Sequence, residues 1–389
     1  MNPLRLALVT QRFWPLVGST EKTMANLASE LVARGCRVTI VTARWNPSWP
    51  ATIGFRGASV VRLPHPPQSG WNILRYMRSL GSWLRRHPDQ YDLVYVASLR
   101  HDALGTVRTV GHRVPVVLRP AGVAGLGDCR WQVETTWGRQ IRRQCLKAAG
   151  VVASSGVVER ELLEAGYPPE CVHRVPNGVP IPPPRSPEAK LAARAVLAEI
   201  DPVLQLPGWA PLAVYTGRLH ASKGIEVLVA AWEPIAARWP NARLFLVGDG
   251  PHRSALDARI ESRGLAGRVV TFDAMDEVDQ ILAAADLFVL PTPATGMSLS
   301  LLEALAAGLP VVAADTPGNR ELVVHGREGL LVPAGDASAW SAALARMLDE
   351  TGLARQLGAA ARQRAADFAL AKMVDQHLTL FQQLTHGKP

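Results

Sequence analysis

The stretch Val175-Pro-Asn-Gly-Val-Pro-Ile-Pro-Pro-Pro184 places five prolines within ten residues, near the middle of a 389-residue chain. Proline fixes φ and lacks an amide hydrogen, so neither a helix nor a central strand continues through such a run, which is extended and stiff. It divides the chain. Before it, residues 4–9, 37–42, 93–97, Val116–Leu118 and 151–153 are short apolar runs that read as strands. Residues 21–33 read as a helix with Met24, Leu27 and Leu31 on one face. After it the rhythm restarts at 213–216 and continues through 244–247, Val269–Phe272, Leu287–Leu290 and 311–313, with helical segments such as Ile225–Arg238 between them. Alternating strands and helices predict parallel sheets covered on both faces. The expected architecture is α/β, with two Rossmann-like doubly wound domains facing a cleft, at residues 1–177 and 178–365. A last helix lies in 366–389; the sequence leaves its destination open, a return to the first domain being one course.

Composition narrows the function. With 48% hydrophobic and 19% charged residues, the chain is neither disordered nor fibrous. The 42 basic against 33 acidic residues leave a net charge of +9, which calls for an anionic partner: nucleic acid, a phosphorylated ligand or a membrane surface. A nucleic-acid partner is not expected, because no basic stripe with interleaved aromatics and no known module is present. Cys36, Cys129, Cys145 and Cys171 form no CxxC pair, which suits a reducing, cytoplasmic setting. The first ten residues lack a signal-peptide pattern. The longest apolar candidate, 299–314, is broken by Glu303, Gly308 and Pro310, so no spanning helix is expected.

Four loops fall where ligands of such sheets bind. The first, Phe13-Trp-Pro-Leu-Val-Gly18-Ser-Thr-Glu21, joins the first strand to the first helix. Gly18 lets backbone approach an anion at the helix start, or simply makes the turn. The second is Thr216-Gly-Arg-Leu-His-Ala-Ser-Lys-Gly224. Arg218 grips phosphate oxygens in pairs and Lys223 adds a point charge, so the two suit a diphosphate without a metal ion; the bland alternative is a solvated loop. The third ends a strand in Gly248-Asp-Gly250, where Asp249 reads as a turn former or N-cap before it reads as a ligand contact. The fourth runs from Leu290 to Pro310 and carries Glu303, expected in the first turn of a helix, where Ser300-x-x-Glu303 also fits a capping box.

Together these loops resemble the retaining glycosyltransferases of family 4, the group 1 glycosyltransferases with the GT-B fold. The resemblance rests on Gly217-Arg218-Leu219 with Lys223-Gly224, on Val247-Gly-Asp-Gly250, on Leu302-Glu303-Ala304 with Gly308-Leu-Pro-Val-Val312, on Pro176-Asn-Gly-Val179, and on Gly318 followed by Glu321. It implies a retaining, metal-independent enzyme, needing no cofactor, that moves a sugar from a nucleotide-diphosphate sugar to a saccharide or lipid-linked acceptor in cell-surface polysaccharide or glycolipid assembly. In that reading Arg218 and Lys223 hold the diphosphate and stabilise the leaving group, with Gly217 and Gly248 giving backbone access. Glu303 takes the ribose hydroxyls, Gly18 lets the first loop close on the diphosphate, and backbone from Phe272 to Met275 meets the base. Amides of Gly296, Met297, Ser298 and Leu299 face the transferred sugar.

Two departures mark this chain. The family carries two glutamates eight positions apart; the second is Glu303, and the first, which in the family contacts the donor sugar, is Thr295 here, a residue that can hydrogen-bond the sugar but supplies no negative charge. Val17-Gly18-Ser19 stands where a Gly-Gly pair is usual. Thr295 opens an alternative, a nucleotide-sugar-binding protein with weak or lost catalysis; a GT-B isomerase or phosphorylase is a further one. On the acceptor side the candidates are His101, Arg119 and Asp128, with no base assigned. Residues 71–87, Trp71 to His87, place Ile73, Leu74, Tyr76, Met77, Leu80, Trp83 and Leu84 on one helix face and four arginines on the other. Such a helix packs on the sheet with a solvated basic face, or lies on an anionic membrane, giving a peripheral place on the inner face of the cytoplasmic membrane.

Overall fold

A computed structural model of the chain describes residues 3–68, 70–122, 127–273, 278–293 and 296–386. It divides into two compact units, Met1–Gly178 with Leu370–Pro389, and Val179–Ala369. The first border falls inside the proline-rich stretch, where Val179 N donates to Phe368 O at 3.0 Å beside the second border.

Among the described residues the first unit has strands β1 (Arg5–Val9), β2 (Arg37–Ala43), β3 (Thr52–Phe55), β4 (Ala58–Leu63), β5 (Leu93–Val96), β6 (Val116–Leu118), β7 (Gly150–Ala153) and β8 (Val172–Arg174). Their order is β3-β4-β2-β1-β5-β6-β7-β8. Neighbours run parallel except the edge hairpin β3–β4, which turns on Arg56 and Gly57, both at positive φ. β5, β6 and β7 are buried throughout, as parallel strands covered on both faces must be. The side chains of β1 alternate accordingly. Leu6 and Leu8 pack with helix Ser19–Ala33 and the final helix Leu370–His386. Ala7 and Val9 face Tyr76, Leu80, Val107 and Ile141 from helices Gly70–Arg86, His101–Val110 and Thr136–Cys145.

The final helix belongs to the first unit. Met373, Val374 and Phe381 are buried there, each worth roughly 1.5–3 kcal/mol. Its polar ties are Tyr95 Oη with His377 Nε2 at 3.1 Å, Arg34 with Asp375 at 2.8 Å, and Gly178 N to Met373 Sδ at 3.1 Å. Helix Gly70–Arg86 buries Tyr76, Leu80, Trp83 and Leu84. Leu74, placed on the apolar face by the sequence, is 43% exposed, because the packed seam starts only at Tyr76; Trp71 is 76% exposed.

The second unit has β9 (Leu212–Thr216), β10 (Arg243–Val247), β11 (Val269–Phe272), β12 (Leu287–Leu290), β13 (Val311–Ala314) and β14 (Gly329–Val332) among the described residues, in the order β11-β10-β9-β12-β13-β14, all parallel. The chain steps outward from β9 to β11, then restarts on the other side at β12. The winding thus reverses between β9 and β12, as it does between β1 and β5 in the first unit, and crevices for ligands open at the carboxyl ends of such pairs. Among the described residues no helix is long and apolar enough to cross a membrane.

Candidate functional site

In the second unit, the loop after β9 lies at the reversal point and is built rigidly. Leu219 is fully buried, and its N–H donates to Asp249 O at 2.9 Å. Gly217 N donates to Val247 O at 3.0 Å, and Gly248 N to Phe272 O at 2.8 Å, so the ladder continues past the strand ends. A Cβ on Gly248 would stand 1.8 Å from Gly217 O, so no other residue fits that crossing. Tyr215 Oη donates to Arg218 O at 3.1 Å. His220 Nδ1 accepts from Ser222 N at 3.2 Å and caps the short turn that carries Lys223. Gly224 then takes a left-handed conformation (φ 68°) and opens helix Ile225–Arg238, with its Cβ position 2.9 Å from Pro291 O. That contact brings the loop after β9 against the loop after β12.

This scaffold holds up two cations. Arg218 is exposed and Lys223 half-buried, and neither side chain forms a hydrogen bond or ion pair among the described residues. Burial pushes the Lys223 ammonium below its ordinary proton affinity, and the Arg218 charge adds to that shift. Two adjacent cations, one desolvated and both without a carboxylate, are an unfavourable arrangement until an anion joins them.

The loop after β12 leads into helix Leu299–Ala306. Gly296, Met297 and Leu299 are buried. Ser298 is the N-cap, its Oγ accepting from Leu301 N at 3.3 Å. Two expectations are corrected here. Glu303 lies in the second turn of this helix, not the first, because the cap is Ser298; Ser300 is inside the helix, so no Ser300–Glu303 capping box forms. Glu303 is half-buried on the helix that borders the reversal point. Asp249 caps no helix; its Oδ1 accepts from Gly250 N at 2.7 Å, as a turn former does. Phe272 ends β11, its carbonyl already engaged by Gly248. Met275 and Thr295 lie outside the described residues.

In the first unit, Gly18 is the extended N-cap of helix Ser19–Ala33, and a Cβ there would stand 2.3 Å from Glu21 Oε2. Glu21 pairs with Arg12 at 3.1 Å. His101 begins helix His101–Val110, edge-on to Trp131; burial and then Arg100 hold its proton affinity below the usual histidine range. Asp128 is buried and fully engaged: it accepts from Leu99 N at 2.9 Å, Ala121 N at 3.0 Å and Arg100 Nε at 2.6 Å. It orders the loops after β5 and β6 and holds Arg100 beside His101. Arg119 is buried at the end of β6 and donates to Asn177 Oδ1 at 2.5 Å, tying the sheet to the Pro-Asn-Gly segment.

Gln11 was missed by sequence reasoning. Its Nε2 donates to Asp102 Oδ1 at 2.6 Å, and its carbonyl accepts from Trp45 Nε1 at 2.7 Å. It thereby links the loops after β1, β2 and β5. A lone glutamine after a strand carries no sequence signal for such a role. Tyr215, inward-pointing on a strand, carries none either.

The two halves match two models of one enzyme group: residues 20–181 match Glycosyltransferase Family 4, and 210–350 match Glycosyl transferases group 1. A relative, the D-inositol 3-phosphate glycosyltransferase of Nocardia farcinica, is 30% identical over 305 residues, covering 74% of this chain and 65% of its own. Across four of the curated relatives the chain covers 20% to 65% of their length. Among solved structures, the sucrose-phosphate synthase of Thermosynechococcus elongatus superposes with a TM-score of 0.81 at 23% identity, over 99% of this chain and 100% of the other. HepE from Anabaena, solved with UDP and glucose, gives 0.79 at 19% identity, over 98% and 100%. At these identities the structures establish the fold, and the ordered loops with the matching models in both halves establish the kinship: the chain belongs to the group 1 glycosyltransferases of family 4, with the GT-B fold.

Proposed function

We propose that this protein is a retaining, metal-independent glycosyltransferase of the hexosyl type. It takes its sugar from a nucleotide-diphosphate donor and passes it to an acceptor in polysaccharide or glycolipid assembly. The observation that carries the reading is the pair Arg218 and Lys223, held on a rigid loop at the reversal point of the second sheet with no counter-ion among the described residues. Their charge meets that of a diphosphate and stabilises it as it leaves, which is the work a metal ion does elsewhere. Glu303 takes the ribose hydroxyls, and the amides from Gly296 to Ser298 face the sugar. The relative HepE was solved with UDP and glucose, so UDP-glucose is the first donor to try.

The test is a melting-temperature screen of nucleotide-diphosphate sugars followed by turnover with the one that stabilises most. Arg218→Ala and Lys223→Ala are expected to lower turnover by about 10²–10³ each. Turnover near the parent level in both refutes the site. Activity lost with a chelator refutes metal independence, and an inverted anomeric product refutes retention.

Thr295 favours a second reading, a nucleotide-sugar-binding protein of weak catalysis. Thr295→Glu separates the two: increased turnover marks a weakened enzyme, and decreased turnover marks one adapted to its own donor. The exposed Trp71 and Leu74 beside Arg75 and Arg78 support peripheral binding to the inner face of the cytoplasmic membrane. Flotation with phosphatidylglycerol vesicles at low salt tests that, and no binding there refutes it.

A further inference from the structure

The positive charge of this protein is not spread over it. Residues 31–88 contain nine arginines and no lysine, aspartate or glutamate. That segment alone carries the whole excess of +9; of the 42 basic residues 33 remain elsewhere, balanced by 33 acidic ones. It builds β2, β3, β4 and helix Gly70–Arg86, which is one edge of the first sheet. Of the nine, Arg34 meets carboxylates, Glu30 at 2.6 Å and Asp375 at 2.8 Å. The other eight have no carboxylate partner among the described residues.

At the carboxyl end of this edge the arginines meet tryptophans. Trp45 is half-buried, its indole N–H fixed to Gln11 O at 2.7 Å, with the Arg12 guanidinium 5.9 Å from its ring. Arg62 is buried; it donates to Pro50 O at 3.1 Å and Trp14 O at 3.0 Å and lies 5.4 Å from the Trp49 ring. Trp14 is 45% exposed. Arg44, half-buried as the chain leaves β2, has no side-chain partner among the described residues. These residues come from the loops after β1 and β2 and from the end of β4, on the β2 side of the reversal point between β1 and β5.

We infer that this rim is a binding subsite for an anionic saccharide, the acceptor or the end of it. This rests on the glycosyltransferase reading for the word acceptor, but not for the site. An indole face is electron-rich and takes the C–H face of a sugar ring. Arg44 beside it, whose guanidinium has no partner among the described residues, supplies charge-assisted hydrogen bonds to a carboxylate or phosphate on that sugar, while Arg12, paired with Glu21, and the buried Arg62 hold the indole rings in place. A membrane is the poorer occupant of this rim. Trp45 and Trp49 are half-buried, and Trp45 is fixed by a hydrogen bond, so they present faces and do not project as insertion anchors do.

The experiment is titration of the full chain, read by tryptophan fluorescence and calorimetry. The probes are tetragalacturonate, its neutral methyl ester, glucose 1-phosphate and phosphatidylglycerol vesicles. Tetragalacturonate or glucose 1-phosphate is expected to bind saturably and to weaken with salt, which also tells carboxylate from phosphate. The methyl ester is expected to bind at least about tenfold more weakly than the acid. Arg44→Ser, which removes no side-chain hydrogen bond or ion pair among the described residues, is expected to lower affinity for the acidic probe about tenfold. Trp14→Ala is expected to lower it as well. Equal binding of acid and ester, no effect of either substitution, or binding of vesicles alone overturns the inference. UDP binding, measured on the same samples, is expected to be untouched by Arg44→Ser; its absence from the parent protein would refute the donor site and leave the rim standing.

Discussion

The Lys223 ammonium lies half-buried beside the Arg218 guanidinium, and both its burial and that charge lower its proton affinity. Lys223 therefore loses its proton at lower pH than a free lysine does. Affinity for UDP is expected to be full at neutral pH and to fall as pH rises through that lowered value. A bound diphosphate favours the charged form, so binding takes up protons in this alkaline window. Lys223→Arg keeps the charge throughout and is expected to flatten the profile. Calorimetric UDP affinities from about pH 7 to pH 10 check this; equal slopes in parent and variant exclude Lys223 from the site.

The close crossing of Gly248 over Gly217 O predicts a backbone role. Gly248→Ala would place a methyl carbon 1.8 Å from that carbonyl oxygen, far inside contact distance. Neither partner is a flexible side-chain end, so the loop that holds Arg218 must move. The expected cost is about 2–4 kcal/mol of stability and loss of most UDP affinity. Chemical unfolding and UDP titration measure both, and an unchanged protein would mean the two turns cross less closely.

Asp128 supplies a parallel case in the first unit. Its carboxylate takes two backbone amides and Arg100 while almost wholly buried. Asp128→Asn turns one acceptor oxygen into a donor and leaves an amide facing it. The expected loss is about 2–4 kcal/mol in urea unfolding, with UDP affinity unchanged because the loops it orders, after β5 and β6, carry none of the residues assigned to the donor.

How much of this was legible beforehand follows from which forces leave a trace in sequence. Burial of parallel strands gives continuous apolar runs, so most strands of both sheets could be read, from runs such as Val116–Leu118 in the first and Leu287–Leu290 in the second. The β3–β4 hairpin could not, because its tight turn uses Arg56 at positive φ, a rare choice that hides the usual Asn-Gly signal. The Gly217-to-Gly224 loop was legible because its glycines and cations are bound to fixed offsets by the strand-to-helix turn. The cap at Ser298 was misplaced because both Ser298 and Ser300 are good caps, and only the path of the chain after β12 chooses between them. Gln11 and Arg62 act across long sequence separations, where neither period nor spacing marks them.

His377 offers a test of the final helix in its buried place. Its ring is sealed between Tyr95 and Phe381, with Nδ1 at 2.9 Å from Met373 O and Nε2 at 3.1 Å from Tyr95 Oη. Burial drives its pKa from 6.5 down to about 4; the Met373 carbonyl opposes that shift and the Arg119 charge adds to it. In the unfolded chain the same ring protonates near 6.5. Between these values the unfolded state binds more protons, so stability is full above pH 6.5 and falls as pH drops toward about 4, by at most about 3 kcal/mol. His377→Gln cannot titrate. It is expected to lose a fixed amount of stability at neutral pH and to unfold with a shallower acid dependence. Urea midpoints of parent and variant across that window decide it: if the two fall in parallel, His377 is not held neutral by the packing of Leu370–His386 on the first sheet.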